Sequence, residues 1–249
     1  MPRFFLEIKY EGTAYHGWQR QPNATTVQEV VEKALQTLLR EPTPVTGSGR
    51  TDTGVHALQQ WAHFDTADSP ILPKLAYKLN SLLPHDIAIA SMREVKEEAH
   101  ARFDATSRSY RYYVHQEKNP FFRYYSYFYP KKVDIELMNQ AAEKLCDYTN
   151  FRPFSKSKTD VKTYNCDVRE ARWQRLDNGQ LEFYIRADRF LRGMVRLITG
   201  ALLEIGSGRM EEQTLIDWME AGKPVIHKHH AGAEGLYLCE VKYSEDVWV

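Results

Sequence analysis

The residues best equipped for chemistry stand in one stretch, Thr46-Gly47-Ser48-Gly49-Arg50-Thr51-Asp52-Thr53-Gly54-Val55-His56-Ala57. Its glycines let the backbone take positive φ and approach a ligand closely. Asp52 follows the cation Arg50 by two residues, a pairing that can hold the acid ionised and aimed. The same residues also suit a hairpin turn in which Asp52 bonds its own backbone. Two nucleotide-binding patterns are excluded. A dinucleotide fingerprint counted from Gly47 needs glycine where Asp52 stands, and a P-loop needs a Gly-Lys-Ser/Thr run that the stretch lacks. What remains is a loop that presents one carboxylate.

Three further constellations bear on it. Arg108-Ser109-Tyr110-Arg111-Tyr112-Tyr113 interleaves cations with phenols, which suits base stacking and phosphate contact, and equally suits a strand with alternating buried tyrosines. Arg189, Arg192 and Arg196 are spaced three and four apart, which predicts one shared helix face; Arg196, between Val195 and Leu197, reads least like plain surface. Ser155-Lys156-Ser157-Lys158-Thr159 reads as a flexible basic loop. His227-Lys228-His229-His230 has the look of a metal cluster, yet no Cys or carboxylate stands beside it at a ligand spacing, so no metal is expected. The aromatic run Phe121 to Tyr129 reads as core.

The elements that must position these residues are legible from periodicity. Phe4, Leu6, Ile8 and Tyr10 alternate with Phe5, Glu7 and Lys9, a strand. A polar loop from Tyr10 to Gln21 follows. Thr26 and Glu29 form a capping box for a helix whose face is Val27, Val30, Val31, Ala34, Leu35 and Leu38. Short strands are expected around Val45 and from Ala57 to Phe64. Pro73 opens a second helix with Leu75, Leu79, Leu82 and Leu83, and Ile87 to Val95 reads as a strand. The pattern then repeats. Tyr110, Tyr112 and Val114 mark a strand. Asp134 caps a helix with Ile135, Met138, Ala141, Ala142, Leu145 and Cys146 on its apolar face. Val168–Arg175 and Leu181–Ile185 flank the hairpin signal Asp177-Asn178-Gly179. Leu191, Met194, Val195, Ile198, Leu202 and Ile205 line a helix that Gly206 is expected to end. Leu236 to Tyr243 closes the unit. Each half reads β-α-β-β-α-β, the ferredoxin-like order that RNA-recognition modules share. The fold class is therefore α+β, with two fused ferredoxin-like halves, residues 1–105 carrying the Asp52 loop and 106–249 carrying Tyr110 and Arg196.

Composition narrows the partners. The chain has 249 residues, 43% of them hydrophobic, and a formal net charge of +0 at pH 7. That balance argues against a protein that coats nucleic acid indiscriminately. Charge is segregated, however. Residues 99–132 carry 7 Lys/Arg against 2 Asp/Glu, residues 150–199 carry 11 against 6, and residues 200–249 carry 4 against 9. Such segregation permits a basic face for a polyanion on a neutral molecule. No apolar run approaches membrane-spanning length, because Arg196 and Glu204 interrupt the longest candidate. Cys146, Cys166 and Cys239 are few and scattered, which suits a reducing cytosol, and no signal peptide is expected.

Arg50-Thr51-Asp52-Thr53-Gly54-Val55-His56-Ala57 resembles the catalytic motif of the tRNA pseudouridine synthase A family. Other blocks are similar to that family in the same order: Tyr10-Glu11-Gly12 through Gln21, Thr26-Val27-Gln28, Leu79-Asn80 through Asp86-Ile87, His100-Ala101-Arg102-Phe103, Tyr110-Arg111-Tyr112, Met194-Val195-Arg196 and Gly235-Leu236-Tyr237-Leu238. Together they span nearly the whole chain. Two departures, Thr53 for the usual alanine and Gly232 for a frequent proline, lie beside the matching residues.

The resemblance implies a continuous mixed sheet with a central cleft, a homodimer, a cytoplasmic enzyme, and tRNA as substrate. The reaction it implies is isomerisation of uridine to pseudouridine in the anticodon arm, at about positions 38 to 40. The C1′–N1 bond breaks, the uracil turns, and a C1′–C5 bond forms, so no cofactor is expected. The resemblance gives Asp52 the role of nucleophile, toward C1′ or C6. It gives Tyr110 the packing of the target base, with a phenol also able to move a proton. Arg196 becomes the cation that keeps the nucleophile ionised, and Arg50 fills the space left by the flipped uridine. His100, Ala101, Arg102 and Phe103, with Ser155, Lys156, Ser157, Lys158 and Thr159, would hold the tRNA backbone. Two rivals are a non-catalytic RNA-binding protein on the same fold, which has no need of Asp52, and a hydrolase that releases free uracil.

Overall fold

The structure is a computed structural model that describes residues 1–67, 72–156, 161–226 and 230–249. In chain order the first elements are β1 (Arg3–Tyr10), α1 (Val27–Leu39), β2 (Thr46–Gly47), β3 (His56–Asp65), α2 (Leu72–Leu82) and β4 (Ile87–Val95). Then come β5 (Ala105–His115), β6 (Tyr127–Phe128), α3 (Ile135–Lys144), β7 (Val168–Arg175), β8 (Leu181–Ala187), α4 (Met194–Gly206), α5 (Glu212–Ala221) and β9 (Leu236–Tyr243). The nine strands belong to a mixed sheet that is not closed, so the α+β class and the β-α-β-β-α-β order of the first half are as expected. The chain divides into two compact units, Met1–Thr106 with Tyr237–Val249, and Ser107–Leu236.

In the first unit the strand path is β4-β1-β3-β9, with β2 on β3. β1 runs antiparallel to both β3 and β4, while β3 and β9 pair in parallel at His56↔Tyr237 and Ala57↔Leu238. α1 forms where the sequence places it. The Thr26 hydroxyl accepts from the Glu29 N–H, a cap worth about 1 kcal/mol. Val27, Val31, Ala34 and Leu35 are buried, and Arg40 ends the helix in the left-handed region ahead of Pro42. The Glu29 carboxylate pairs with Lys33, one turn on, at 2.7 Å. β1 departs from simple alternation, because Phe5 is as buried as Phe4 and Leu6. Its ring packs edge-on against Tyr243 and Trp248 and lies near Trp61 and His63. The last residues of the chain thus cover the second face of β1, with Trp248 bridged to Val95 and Arg93 stacked 3.9 Å over the Trp248 ring.

In the second unit the path is β5-β8-β7, all antiparallel, with β6 parallel beside β5. Asp134 caps α3, accepting from the N–H groups of Glu136 and Leu137. Gly179 takes φ +82° in the β7–β8 hairpin, a conformation that glycine tolerates best. α4 is buried around most of its circumference rather than on one stripe. Gly206 does not end it from outside but is its last residue. There a Cβ would crowd the Met138 side chain, so glycine serves the α3–α4 contact. Cys146, expected on the buried face of α3, is exposed. The aromatic run also corrects its reading. Tyr129 is buried, but Phe121 is 84% exposed and Tyr124, Tyr125 and Phe128 lie on the surface. That run makes a turn, a 3-10 turn and the two-residue β6, too short an excursion to bury every ring. α5 was not expected; its Leu215 and Met219 are buried.

Candidate active site

Asp52 lies between β2 and β3 and is half-buried, while Arg50 is exposed. The backbone around it is held from both sides. On the β3 side the Ser48 N–H donates to the Trp61 carbonyl at 2.7 Å, and the Ser48 hydroxyl donates to Gln60 Oε1 at 2.6 Å. Gln60 Nε2 returns a bond to the Gly49 carbonyl at 2.9 Å. Ser48 and Gln60 are both buried, so this polar trio is satisfied internally, as burial requires. Past the acid, the Val55 N–H donates to the Asp52 carbonyl at 3.2 Å and Gly54 takes φ +77°, so Asp52 starts a tight turn that leads into β3.

The other side is held by the loop after β1. Tyr10 Oη and Thr51 Oγ1 lie 2.8 Å apart. The Trp18 N–H donates to the Thr51 carbonyl, and the Gly54 N–H donates to the Tyr15 carbonyl, each at 3.3 Å. The Gly12 N–H lies 3.0 Å from His56 Nδ1, and the His56 ring stacks on Tyr237 at 4.5 Å. Gly12 and Gly17 are needed for the approach. A Cβ on Gly12 would overlap the Val55 carbonyl, and one on Gly17, at φ +84°, would overlap the Thr51 carbonyl oxygen. Trp18 is buried under Gly47, where a Cβ would meet its indole. Tyr15 is buried and donates to Asp86 Oδ1 at 2.5 Å; burial and the neighbouring carboxylate push its phenol well above the usual range. The sequence reading missed these scaffold residues. Their signal was the pair of glycines in Tyr10–Gln21, which announces close backbone packing.

His100 to Phe103 form a separate anchored turn of the first unit. Ala101 has no exposed surface: its N–H donates to His63 Nδ1 at 3.1 Å and its carbonyl accepts from Tyr243 Oη at 2.6 Å. Any part Ala101 plays in RNA contact is therefore through the shape of the turn. His100 Nδ1 accepts from the N–H groups of Arg102 and Phe103. Arg102 is exposed, its guanidinium 5.8 Å above the Phe103 ring, which is itself 74% exposed.

In the second unit Tyr110 stands on β5 opposite Ile185, half-buried, its ring edge-on to Phe190 at 5.0 Å. Tyr112, two residues on, is fully buried and donates to the Gly232 carbonyl at 2.7 Å, so it belongs to the core. Arg196 sits in the first turn of α4, half-buried, and its Nε donates to the Ala231 carbonyl at 2.8 Å. Arg189 and Arg192 precede α4, which starts at Met194, so the three arginines do not share a helix face. Gly193, at φ +74°, turns the chain between them. Ser155 and Lys156 are half-buried, and the Lys156 N–H donates to the Arg192 carbonyl at 3.2 Å. Ser157, Lys158 and Thr159 lie outside the described residues, as do His227, Lys228 and His229. Among the described residues no group of three His, Cys, Asp or Glu side chains is placed to hold a metal ion. No described helix is long and apolar enough to cross a membrane.

The model of the tRNA pseudouridine synthase family matches residues 7–104 and 141–244. The chain belongs to this family. The first matched segment carries Asp52 with its scaffold loop, and the second carries Lys156 and Arg196. Full-length relatives agree. The chain is 47% identical over 252 residues to tRNA pseudouridine synthase A of Porphyromonas gingivalis, with 100% of each chain covered. It is 46% identical to the protein of that name from Bacteroides thetaiotaomicron, covering 100% of this chain and 93% of the relative. It is 39% identical to that of Bacillus licheniformis, covering 97% and 99%.

Proposed function

We propose that this protein converts uridine to pseudouridine in tRNA, in the anticodon arm at about positions 38 to 40, and works in the cytoplasm as a homodimer. The observation that carries the reading is the Asp52 loop, pinned through Ser48, Thr51, Gly54 and His56 within the first of the two segments, 7–104 and 141–244, that match the family. A carboxylate whose backbone is fixed before substrate arrives is what covalent catalysis requires. Asp52 adds to C1′ of the ribose or C6 of the base, the C1′–N1 bond opens, and the uracil turns. C5 then bonds to C1′, the bond from Asp52 to C1′ or C6 breaks and returns the free carboxylate, the C5 proton leaves, and N1 gains a proton. Reactant and product are isomers, so the reaction consumes no electrons and transfers no group to a second molecule, and no cofactor is invoked.

Tyr110 is assigned to pack on the target base, with a phenol also able to move a proton, and Arg196 to keep the nucleophile ionised. Arg50, exposed on the same loop as Asp52, is assigned to the space left when the uridine leaves its stack. Arg102 and Phe103, displayed on an anchored turn with His100 and Ala101, suit a phosphate and an unstacked base. Ser155 and Lys156, with Ser157, Lys158 and Thr159, are assigned to the backbone of the arm. The test is to incubate the protein with unmodified tRNA and map pseudouridine by position. Product confined to the anticodon arm is expected. Release of free uracil would make the protein a hydrolase, and binding without product would make it a non-catalytic RNA-binding protein.

A further inference from the structure

The turn that receives Arg196 carries an acid folded back on its own backbone. Arg196 and Ala231 are bonded twice. Arg196 Nε donates to the Ala231 carbonyl at 2.8 Å, and the Ala231 N–H donates to the Arg196 carbonyl at 3.4 Å. Ala231 has no exposed surface. The residues after it are laid on β5. The Tyr112 hydroxyl donates to the Gly232 carbonyl at 2.7 Å, and the Tyr113 N–H donates to the Gly235 carbonyl at 2.8 Å. The Leu236 N–H closes the turn on the Ala233 carbonyl at 2.9 Å. A Cβ on Gly235 would lie 2.6 Å from the Tyr113 carbonyl oxygen and 2.8 Å from the Tyr112 ring, so the fit to β5 is close. Within this turn the half-buried Glu234 side chain lies over Gly232, where a Cβ would overlap both of its carboxylate oxygens.

Folding back costs the acid part of its hydration and its side-chain freedom. A cation in the same turn offsets that cost. The Tyr112 phenol senses both charges. Burial pushes it up, Glu234 pushes it further and Arg196 pulls it down. Carboxylate and guanidinium therefore converge on the peptide to which Tyr112 is bonded; His115 and Tyr127 also feel the acid. Glycine is the most permissive of backbones. At Gly232 it opens the seat for the carboxylate, and the carboxylate laid on it takes away the freedom that glycine would otherwise give the turn.

We propose that Glu234 is a positioning residue: folded over Gly232, it locks the Ala231–Gly235 turn and so fixes the Arg196 guanidinium that the reaction uses. The inference rests on the assignment of Arg196 above and adds a residue which that assignment does not use. Glu234 acts through the Ala231 carbonyl, one residue from its seat, and needs no contact with RNA.

The test uses Glu234→Gln, which keeps the shape and removes the charge, and Gly232→Ala, which keeps the charge and fills its seat. Two readouts are taken on each. The first is hydrogen exchange of the Arg196 Nε–H, its NMR signal identified by its absence from Arg196→Lys. Each variant should exchange roughly tenfold faster than wild type, as a loosened turn requires. The second is pseudouridine formation in single turnover at saturating protein, beside tRNA affinity. The rate should fall about tenfold while affinity holds, because a misplaced guanidinium costs the chemical step and not the docking. The double variant should be no slower than the slower single one, within about twofold, since both changes release the same contact. Should Glu234→Gln not fold, Gly232→Ala carries the test by the same two readouts. Wild-type exchange of the Arg196 Nε–H in a folded variant would overturn the proposal. So would a lowered melting temperature with the rate per folded molecule intact, a loss of affinity equal to the loss of rate, or losses that multiply in the double variant. Those results leave Arg196 in its assigned role. Wild-type turnover by Arg196→Met would instead remove Arg196 from the reaction, and this inference with it.

Discussion

Replacing Gly17 by alanine tests whether the loop after β1 positions Asp52. Gly17 sits at φ +84°, and its added Cβ would overlap the Thr51 carbonyl oxygen and lie 3.1 Å from the carbonyl carbon of Asp52. The methyl cannot be absorbed by a flexible side chain, because both neighbours are backbone. Holding alanine at positive φ costs about 1 kcal/mol. Loss of the bond from the Trp18 N–H to the Thr51 carbonyl costs about 1 kcal/mol more. A destabilisation of about 2 kcal/mol lowers the melting temperature of a chain this size by roughly 4–8 °C. The rate should suffer more than stability does. Relieving the overlap moves the Thr51–Asp52 backbone by roughly 1 Å, a displacement able to cost on the order of a hundredfold. Gly49→Ala is the internal control: nothing lies within 4 Å of its added Cβ. It should change stability by less than about 0.5 kcal/mol. Single-turnover pseudouridine formation and thermal melting on the two variants decide the matter. Equal rates for Gly17→Ala and Gly49→Ala would refute the claim that this loop aims the carboxylate.

Four further outcomes are expected. Burial and the nearby Arg3 push the His63 imidazole down to about 4, with His100, Asp65 and Asp104 also facing it. The unfolded chain therefore binds the extra proton between pH 6.5 and 4, so stability is complete above 6.5 and falls as pH drops through that window, by up to about 3 kcal/mol from this group. Denaturation midpoints at pH 7 and 4.5 read the loss, and a folded His63→Gln variant should lose less stability over that window than wild type, the remainder coming from groups such as His100 and His115 that burial also pushes down. Tyr110→Phe should abolish turnover while tRNA still binds; retained turnover would leave the ring a packing role only. Arg196→Met should cost turnover more than affinity, whereas equal loss of affinity for every RNA would make Arg196 a phosphate contact. Activity should survive excess chelator; a loss that zinc restores would assign a metal to His227, His229 and His230.

Most of the fold was legible because its elements carry a clear period. Val27 to Leu35 repeat at helical spacing behind the Thr26 cap, and β4 begins and ends where its apolar pattern does. The failures have physical causes. Alternation in β1 could not announce that Phe5 is covered from the far end of the chain by Tyr243 and Trp248, since partners distant in sequence leave no local trace. The exposed rings of Phe121, Tyr124 and Tyr125 defeated a hydrophobicity argument, because composition does not say whether a short excursion has depth to bury them. The spacing of Arg189, Arg192 and Arg196 fitted a helix that in fact starts at Met194, after the turn at Gly193. α5 was readable from Leu215, Trp218 and Met219, and was overlooked in a segment that offers no side-chain cap. In the candidate site, Asp52 stood out by its motif, while the glycines of Tyr10–Gln21 announced close packing without naming its partners: Gly12 lies against Val55, Gly17 against Thr51, and the Tyr10 hydroxyl against that of Thr51, all distant in sequence.

The most direct measurement concerns Asp52 itself. Asparagine is nearly isosteric, so Asp52→Asn should keep the turn to Val55 and the contacts at Thr51 while removing the charge and the nucleophile. Melting temperature, tRNA affinity and pseudouridine yield are to be taken on one preparation of the variant. The expected result is wild-type stability within about 1 kcal/mol, tRNA binding at least as tight as wild type, and no detectable pseudouridine. A folded, tRNA-binding Asp52→Asn protein that makes pseudouridine at near the wild-type rate would contradict the account.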